Sequence, residues 1–300
     1  MNSPRAEPTL PLPACDGAVR LSDWGVIRAS GPEAAHFLQG QLTQDVEQLP
    51  EGPLRLAGYC SAKGRLLASF VIWRSGPEDI YLACSADVLP AVLKRLTMFV
   101  LRAKCKLSDA SGEMPLWGLA GSAAALPGGR QLPDAVVDGV ALPRALWLGP
   151  EIPVAAPLDI ETWRWLEVHS GVARIVAATA EQFVPQMVNL ELVGGVSFQK
   201  GCYPGQEIVA RSQYRGTLKR RGHLMYGGAP LLPGQEVFHS VDPEQPAGMV
   251  VLAGSFEGRH AALVELKLAA LADGSLHAGA ASGPLLTPAA LPYSFPAAAA

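Results

Sequence analysis

The stretch from Asn189 to Arg211, which reads NLELVGGVSFQKGCYPGQEIVAR, concentrates residue types that can do chemistry. At its centre, the thiol of Cys202 follows the ammonium group of Lys200 by two residues. The surrounding glycines and the Pro204-Gly205 pair permit a tightly bent backbone that can approach a ligand closely. A helix predicted over residues 206–211 would turn its unpaired amides and positive dipole end toward the bend. The pattern therefore predicts an accessible, reactive thiolate at Cys202.

The same pattern has a purely structural interpretation, in which Cys202 is a small buried residue and the glycine pair marks a bulge. No histidine base lies within the segment, so the segment by itself does not predict a cysteine hydrolase. The other polar side chains of the bend are candidates for ligand contacts. They are Tyr203, Gln206, Glu207 and Arg211.

The rest of the chain has the composition of a folded protein. Its 300 residues are 49% hydrophobic and 17% charged, which argues against disorder. The net charge of −3 gives no general electrostatic case for nucleic acid or anionic membranes. No run of about 18 apolar residues predicts a membrane span. Five scattered cysteines without a signal peptide favour a reducing cytoplasm, and the spacing of cysteines and histidines predicts no metal site.

Local patterns predict the elements that position the segment. Ser30-Gly31-Pro32-Glu33 is typical of a helix start, and Asp159 can cap a second helix that ends at Gly171. Residues 54–73 indicate two strands joined by a turn at residues 61–64. Short alternating segments from about residue 222 to 268 predict a small barrel.

Lys200–Glu207, KGCYPGQE, resembles the K-G-C-Y-x-G-Q-E signature of the YgfZ family. The resemblance extends through Phe183–Gln186, Asn189-Leu190, Phe37–Asp45 and Lys63-Gly64-Arg65, in the family's order, and so spans most of residues 20–225. Members are folate-binding proteins similar to the glycine-cleavage T-protein, an aminomethyltransferase. Their mitochondrial relatives assist iron–sulfur cluster assembly.

This resemblance implies an α+β, T-protein-like fold with three domains around a central channel and a small C-terminal β-barrel. Residues 18–50 and 110–220 would form a discontinuous folate-binding domain, residues 51–109 a second α+β domain and residues 221–270 the barrel. We expect residues 1–17 and 271–300 to be disordered tails. The channel would be folate-sized, at a domain junction where such ligands commonly bind.

The block that corresponds to the T-protein's catalytic aspartate departs from the family pattern. Ala68 and Ser69 stand where carboxylates are expected, and neither can act as an anionic partner or proton acceptor. Aminomethyl transfer is therefore disfavoured, and whether the chain is an enzyme stays open.

The position expected to recognise the pterin ring also departs from the family pattern. A carboxylate can accept two hydrogen bonds from a pterin, and the family usually offers a glutamate two residues before a helix-ending glycine. His169 holds that place here, either as a neutral acceptor or as a buried histidine at a helix end, and Glu167 is a possible substitute. Trp163 and Trp165 point to different faces of one helix, so at most one is expected to stack on a pterin.

Further candidates for folate contacts are Gln39, Asp45, Tyr59, Lys63 and Arg65. Gln39 and Asp45 can face the channel or form a cap-and-turn framework. The other three can meet the anionic glutamate tail of folate or belong to a strand turn with solvated charges.

The sequence thus predicts a cytoplasmic accessory protein for iron–sulfur cluster assembly or repair that uses tetrahydrofolate or a related folate. The protein would act through the thiol of Cys202, with Lys200 keeping the thiolate available. Its effect on tRNA modification would be indirect. Its expected partners are folate and iron–sulfur client or assembly proteins. Folate-dependent one-carbon transfer is one alternative. Another is a tRNA-binding module built on Arg211, Arg215, Lys219, Arg220 and Arg221; we favour a solvated connector for this basic run and expect no direct nucleic-acid contact.

Overall fold

The computed structural model describes residues 15–151, 153–214 and 218–296. The strands are β1 (Gly17–Arg20), β2 (Trp24–Ser30), β3 (Arg55–Cys60), β4 (Leu66–Arg74), β5 (Asp79–Ser85), β6 (Lys106–Asp109), β7 (Leu116–Ala120), β8 (Arg130–Val137), β9 (Val140–Leu148), β10 (Arg220–Gly227), β11 (Glu236–His239), β12 (Asp242–Phe256), β13 (Arg259–Lys267), β14 (Leu276–Ala278) and β15 (Leu285–Ala289). The α-helices are α1 (Ala34–Gln39), α2 (Leu89–Val100), α3 (Ile160–His169) and α4 (Gln206–Tyr214). Within these described ranges, no helix is long and apolar enough to cross a membrane.

A five-stranded antiparallel sheet has the strand order β3-β4-β5-β2-β6. Apolar residues of α1, such as Leu38, and of α2, such as Leu96, share one buried cluster with Ile72 and Leu82 of this sheet. The helix predicted after Ser30 and the strand pair predicted within residues 54–73 are confirmed as α1, β3 and β4.

This sheet groups the chain differently from the predicted boundary at residues 50/51. β2 pairs with β5 and β6, because Ile27 and Ala29 pack into the same core as the strands that follow residue 51. β1 instead joins the second sheet, whose order is β1-β7-β9-β8. The division of the chain into three domains stays a prediction.

α3 lies against the barrel strand β12, and its start is capped by Asp159 as the sequence predicted. The Asp159 side chain accepts a hydrogen bond from the amide of Glu161 at 2.7 Å, which caps the first turn. At Gly254 of β12, a Cβ atom would lie 2.7 Å from the backbone nitrogen of Trp165, so only glycine lets the helix approach this closely. The barrel therefore sets the position of α3.

The C-terminal strands close a six-stranded barrel in the order β10-β13-β12-β11-β14-β15, with β15 paired to β10. The prediction that residues 271–300 are disordered is wrong for residues 271–296, which contain β14 and β15. Leu276, Ala278 and Leu286 are buried in the barrel core, so burial of these few apolar residues offsets the polar, small-residue composition. The predicted N-terminal tail, residues 1–17, is likewise wrong for residues 15–17, because Cys15 is buried and Gly17 begins β1. Residues 1–14 and 297–300 lie outside the described residues.

Candidate functional site

The signature loop, residues 200–207, rests on the turn between β3 and β4 and leads into α4. Gly205 has a φ of +79°, and a Cβ atom there would lie 2.4 Å from the carbonyl oxygen of Ser61 and 2.6 Å from the nitrogen of Gly64. A larger residue at position 205 would force the loop off the turn. The tight bend predicted from the glycines is therefore needed for a close backbone contact.

Lys200 anchors this loop to the segment that follows α1. Its ammonium group donates hydrogen bonds to the backbone carbonyls of Gln39 and Leu42 and lies 5.1 Å from the centre of the Tyr203 ring. Burial lowers the pKa of Lys200 to about 8, against the opposing effects of Asp45 and other nearby acidic groups. The ammonium group thus clamps the loop, and it loses its proton at a lower pH than an exposed lysine does.

Gln39 and Asp45 belong to the same clamp. The Gln39 amide donates to the Asp45 carboxylate at 3.1 Å and its oxygen accepts from the amide of Val46 at 2.7 Å. The Thr43 hydroxyl donates to the carbonyl of Gly195 at 2.6 Å. The contacts of Gln39 and Asp45 match the cap-and-turn framework, which is one of the two interpretations that the sequence left open for them. The Thr43 contact joins residues 37–45 to the segment that precedes the signature loop.

Cys202 differs from the other cysteines in its exposure. Of the five cysteines, all of which lie in the described part of the chain, Cys202 alone is exposed. Burial raises the pKa of the Cys60 and Cys84 thiols to about 12 and that of Cys105 to about 11. Cys202 is therefore the sulfur atom that an external reactant or protein can reach.

The remaining predicted contacts around the loop lie on the surface or in the sheet core. Glu207 and Arg211 form an exposed ion pair of 2.8 Å on α4, and Gln206 is half-buried at the start of that helix. Arg65 donates to the carbonyls of Glu181 and Gln182, and Lys63 is exposed. The buried Tyr59 packs in the core under the five-stranded sheet.

A central pocket lies between the two sheets and α3. Its cavity volume is about 30 Å³, so the pocket is a narrow slot, smaller than the folate-sized channel that the resemblance implied. Strands β2, β4 and β9 supply Trp24, Ser69 and Arg144, while α3 supplies Trp163 and Glu167. No residue of the signature loop lines the slot within the ranges that the structure describes.

A buried ion-pair network forms one wall of the central pocket. Arg174 donates to both carboxylate oxygens of Glu167, at 2.7 and 3.0 Å, and to Asp23 at 3.1 Å. Although burial acts to lower it, the two carboxylates raise the pKa of Arg174 above its usual value. The slot thus has a carboxylate whose orientation is set by a permanently charged guanidinium.

Two indole groups in the slot have no partner. The Nε1 atoms of Trp24 and Trp163 are buried without a hydrogen-bond acceptor within the described residues, as are those of Trp117 and Trp165 outside the slot. The guanidinium of Arg174 lies 5.1 Å from the Trp24 ring, and that of Arg144 lies 5.2 Å from the Trp163 ring. The slot thus combines two aromatic rings and two guanidinium groups with the carboxylate of Glu167, a lining that suits a flat, polar-edged ligand.

Three other predicted positions fall on different sides of this slot. Ser69 lines it, with its hydroxyl accepting a hydrogen bond from the amide of Ile175 at 2.9 Å, whereas Ala68 is buried in the core under the five-stranded sheet. Trp165 points away from the slot toward the barrel residues Tyr226 and Phe256. One tryptophan of the pair, Trp163, therefore faces the slot.

His169 is fully buried outside the slot. Its Nδ1 atom is 2.9 Å from the carbonyl oxygen of Trp165 and its Nε2 atom is 3.2 Å from the Tyr226 hydroxyl. Burial lowers the pKa of His169 to about 4, so the ring is neutral in the folded protein. His169 is therefore not among the residues that line the slot, whereas Glu167, two residues earlier, is one of them.

The buried neutral histidine makes stability depend on pH. The unfolded chain binds a proton at His169 below its ordinary pKa of 6.5, while the folded protein does so only near 4. Stability from this group is complete above about pH 7 and falls by about 2 kcal/mol between about pH 7 and pH 5. Urea unfolding at both pH values should show a smaller decrease for His169→Gln than for the wild type. His36→Gln, at an exposed position, is the matched control, and equal decreases in the wild type and His169→Gln would refute the assignment.

Sequence reasoning missed Trp24, Arg144 and Arg174. Trp24 stands at the start of a short strand, where an aromatic residue is ordinary, and Arg144 lies within an otherwise apolar strand. Arg174 interrupts an apolar run just after α3. An arginine inside such a run is usually buried only when it has a charged partner, so this position could have been predicted to form a buried ion pair.

The chain is similar in sequence to proteins of known name. The chain is 34% identical over 255 residues to the tRNA-modifying protein YgfZ of Serratia proteamaculans, covering 77% of the chain and 76% of that protein. It is 34% identical over 241 residues to the protein of the same name from Edwardsiella ictaluri, covering 72% of each. No family model matches the chain.

The fold has a solved counterpart. The glycine cleavage system aminomethyltransferase T from Bartonella henselae superposes with a TM-score of 0.64 at 14% identity, covering 91% of this chain and 84% of that one. This confirms the predicted α+β, T-protein-like fold with its C-terminal barrel.

Proposed function

The chain belongs to the YgfZ family, and from this we propose that it binds tetrahydrofolate or a related folate in the central pocket, in a role linked to tRNA modification. The observation that carries the proposal is the buried carboxylate of Glu167, held by Arg174 in a narrow slot that Trp24 and Trp163 also line. A pterin is flat and has donors and acceptors along its edge. Glu167 can accept from such a ring, while the indoles donate to it.

The neighbouring side chains fit the same ligand. Arg174 holds both oxygens of Glu167, so the carboxylate is pre-oriented and little conformational entropy is lost when a ligand binds. The apolar walls formed by Leu56, Val71 and Pro133 can cover the ring faces. Because a cavity of about 30 Å³ is smaller than a pterin, we expect its walls to move apart when the ring binds.

The proposal predicts that either slot tryptophan contributes strongly to folate affinity. Trp24→Phe and Trp163→Phe remove one donor each while keeping an aromatic ring, and each should weaken tetrahydrofolate binding about tenfold. Calorimetric titration of the purified protein under reducing conditions measures this effect. Trp147→Phe is the matched control, since its indole donates to the carbonyl of Glu151 away from the slot. Wild-type protein that takes up no tetrahydrofolate would refute the proposal.

We further propose that the protein assists iron–sulfur cluster assembly or repair through Cys202. In support, the exposed thiol lies on a loop clamped by Lys200, so its position is well defined while its sulfur atom stays reachable. The loop and the slot are joined by the segment 190–200, since Leu190 lines the slot and the Gly195 carbonyl accepts from Thr43. A client protein would meet the thiol at the surface while folate occupies the interior.

The two alternative functions find less support. One-carbon transfer needs an acid or base beside the reacting carbon, and Ser69 offers the slot a hydroxyl where the T-protein pattern has a carboxylate. A tRNA-binding face would need free cations, yet Arg220 pairs with Glu265 and Arg221 pairs with Glu191. Arg215 of the same basic run lies outside the described residues.

A further inference from the structure

A cavity of about 300 Å³ lies where the barrel meets the turn between β3 and β4. The barrel strands β10 to β13 form one side of it, and the turn and residues 182–187 form the other. Among the described residues, it shares no lining residue with the slot. Its volume lies at the lower end of the range for pockets that hold small molecules. We call it the junction cavity. The charged residues in its walls are Arg65, Arg220, Glu236 and Glu265.

The junction cavity is lined by two of the sequence blocks that carry the family resemblance. One block supplies Arg65 and the other supplies Phe183, whose carbonyl accepts a backbone hydrogen bond of 2.8 Å from the start of β4. The turn before β4 also supports the signature loop, since Gly64 lies against Gly205. No residue of these two blocks lines the slot within the described ranges. The junction cavity is therefore the space around which the two blocks meet.

A buried ion pair forms the inner wall of the junction cavity. The Nε atom of Arg220 donates to Glu265 at 2.7 Å, and the Glu265 side chain is only 4% exposed. The Nη1 atom of Arg220 is buried without an acceptor among the described residues. Burial raises the pKa of Glu265 to about 7, although Arg220, Arg65 and Lys267 favour its charged form. This wall thus suits a ligand that gives Arg220 an acceptor and Glu265 a positive charge.

The outer wall presents one charge of each sign. Arg65 and Glu236 are exposed, and neither forms an ion pair with any described residue. Two backbone carbonyls accept hydrogen bonds from Arg65 and so hold its guanidinium in place. A simple anion would be repelled by the two glutamates, and a simple cation would be repelled by the two arginines. A ligand that carries both charges side by side is complementary to all four.

Apolar side chains complete the lining of the junction cavity. Phe183 is buried, while Met187 and Met249 are half-buried and offer adaptable surface beside the charges. The lining therefore fits a small molecule with an ammonium group, a carboxylate and an apolar substituent. These three parts together make an apolar α-amino acid.

We propose that the junction cavity binds a free α-amino acid with an apolar side chain. The carboxylate of the ligand lies between Arg220 and Arg65, its ammonium group between Glu265 and Glu236, and its side chain on the apolar wall. Arg65 thus holds this ligand, and not the glutamate tail of folate to which the sequence pointed. Because the same turn supports the signature loop, a bound amino acid reinforces the position of that loop. The proposal does not depend on folate binding in the slot.

Calorimetric titration of the purified full chain with L-leucine and its derivatives tests the proposal. L-leucinamide has no carboxylate, N-acetyl-L-leucine has no ammonium group and glycine has no side chain. The wild type should bind L-leucine at least about tenfold more tightly than each of the other three. Arg65→Gln and Glu236→Gln should each weaken L-leucine binding about threefold to tenfold, as partly exposed ion pairs allow. Arg65→Gln should leave the affinity for L-leucinamide unchanged, and Glu236→Gln that for N-acetyl-L-leucine.

Glu244→Gln is the matched control, because it removes an exposed carboxylate of the same barrel that does not line the cavity. It should leave every affinity unchanged. Failure of the wild type to bind L-leucine, equal affinities for L-leucine and its derivatives, or equal effects of Glu236→Gln and Glu244→Gln would overturn the proposal. Tetrahydrofolate should bind equally well with and without L-leucine. Competition between the two would place the amino acid in the slot and would also overturn the proposal, while leaving folate binding intact.

Discussion

Arg174→Met should lower the free energy of unfolding by about 3–5 kcal/mol, because it leaves the buried carboxylate of Glu167 without its partner. Glu167 is 6% exposed and Arg174 7% exposed at the side chain, so water cannot replace the lost contacts. Asp23 loses one of its two arginine partners as well. Urea unfolding at neutral pH measures the change.

Arg164→Met is the matched control for that experiment. Arg164 also pairs with Asp23, at 3.2 Å, but its side chain is 34% exposed, so its loss should cost under about 1 kcal/mol. The double variant Glu167→Leu with Arg174→Met removes both charges and should recover part of the stability lost in the single variant. Equal losses at positions 164 and 174, or no recovery in the double variant, would show that burial does not determine how much this ion pair contributes to the free energy of unfolding.

Cys202→Ala should abolish the restoration of iron–sulfur enzyme activity in cells that lack the endogenous protein. The expected loss is complete because no other exposed thiol is available among the described residues. The same variant should bind tetrahydrofolate with wild-type affinity, since Cys202 does not line the slot. Activity of a cluster-containing client enzyme in extracts, together with titration of the purified variant, measures both effects.

Cys105→Ala provides the control for the thiol, because Cys105 is half-buried and its pKa is raised to about 11 by burial. It should support full activity. Restoration by Cys202→Ala equal to that by the wild type would remove the thiol from the proposed function. Loss of folate binding in Cys202→Ala would instead show that the loop and the slot are one site.

Some features of this site were readable in the sequence because they depend on neighbouring residues. The cap at Asp159, the helix end at Gly171 and the bend at Gly205 follow from local backbone geometry, and each is present. The barrel strands beyond residue 271 were not readable, since their pairing with β10 and β11 is long-range and their composition resembles a tail.

By itself, the sequence determined the family, through the signature loop, and the order of most local elements, because both are written in contiguous residues. The tertiary structure decided which side chains share the pocket. Trp24, Ser69, Arg144 and Glu167 are far apart along the chain and meet only where two sheets and α3 pack together. It also decided that Arg174 holds Glu167, whereas His169, two residues further on, packs against the barrel. On a helix, a shift of two residues turns a side chain to nearly the opposite face, so a motif count alone cannot select the one that faces a ligand.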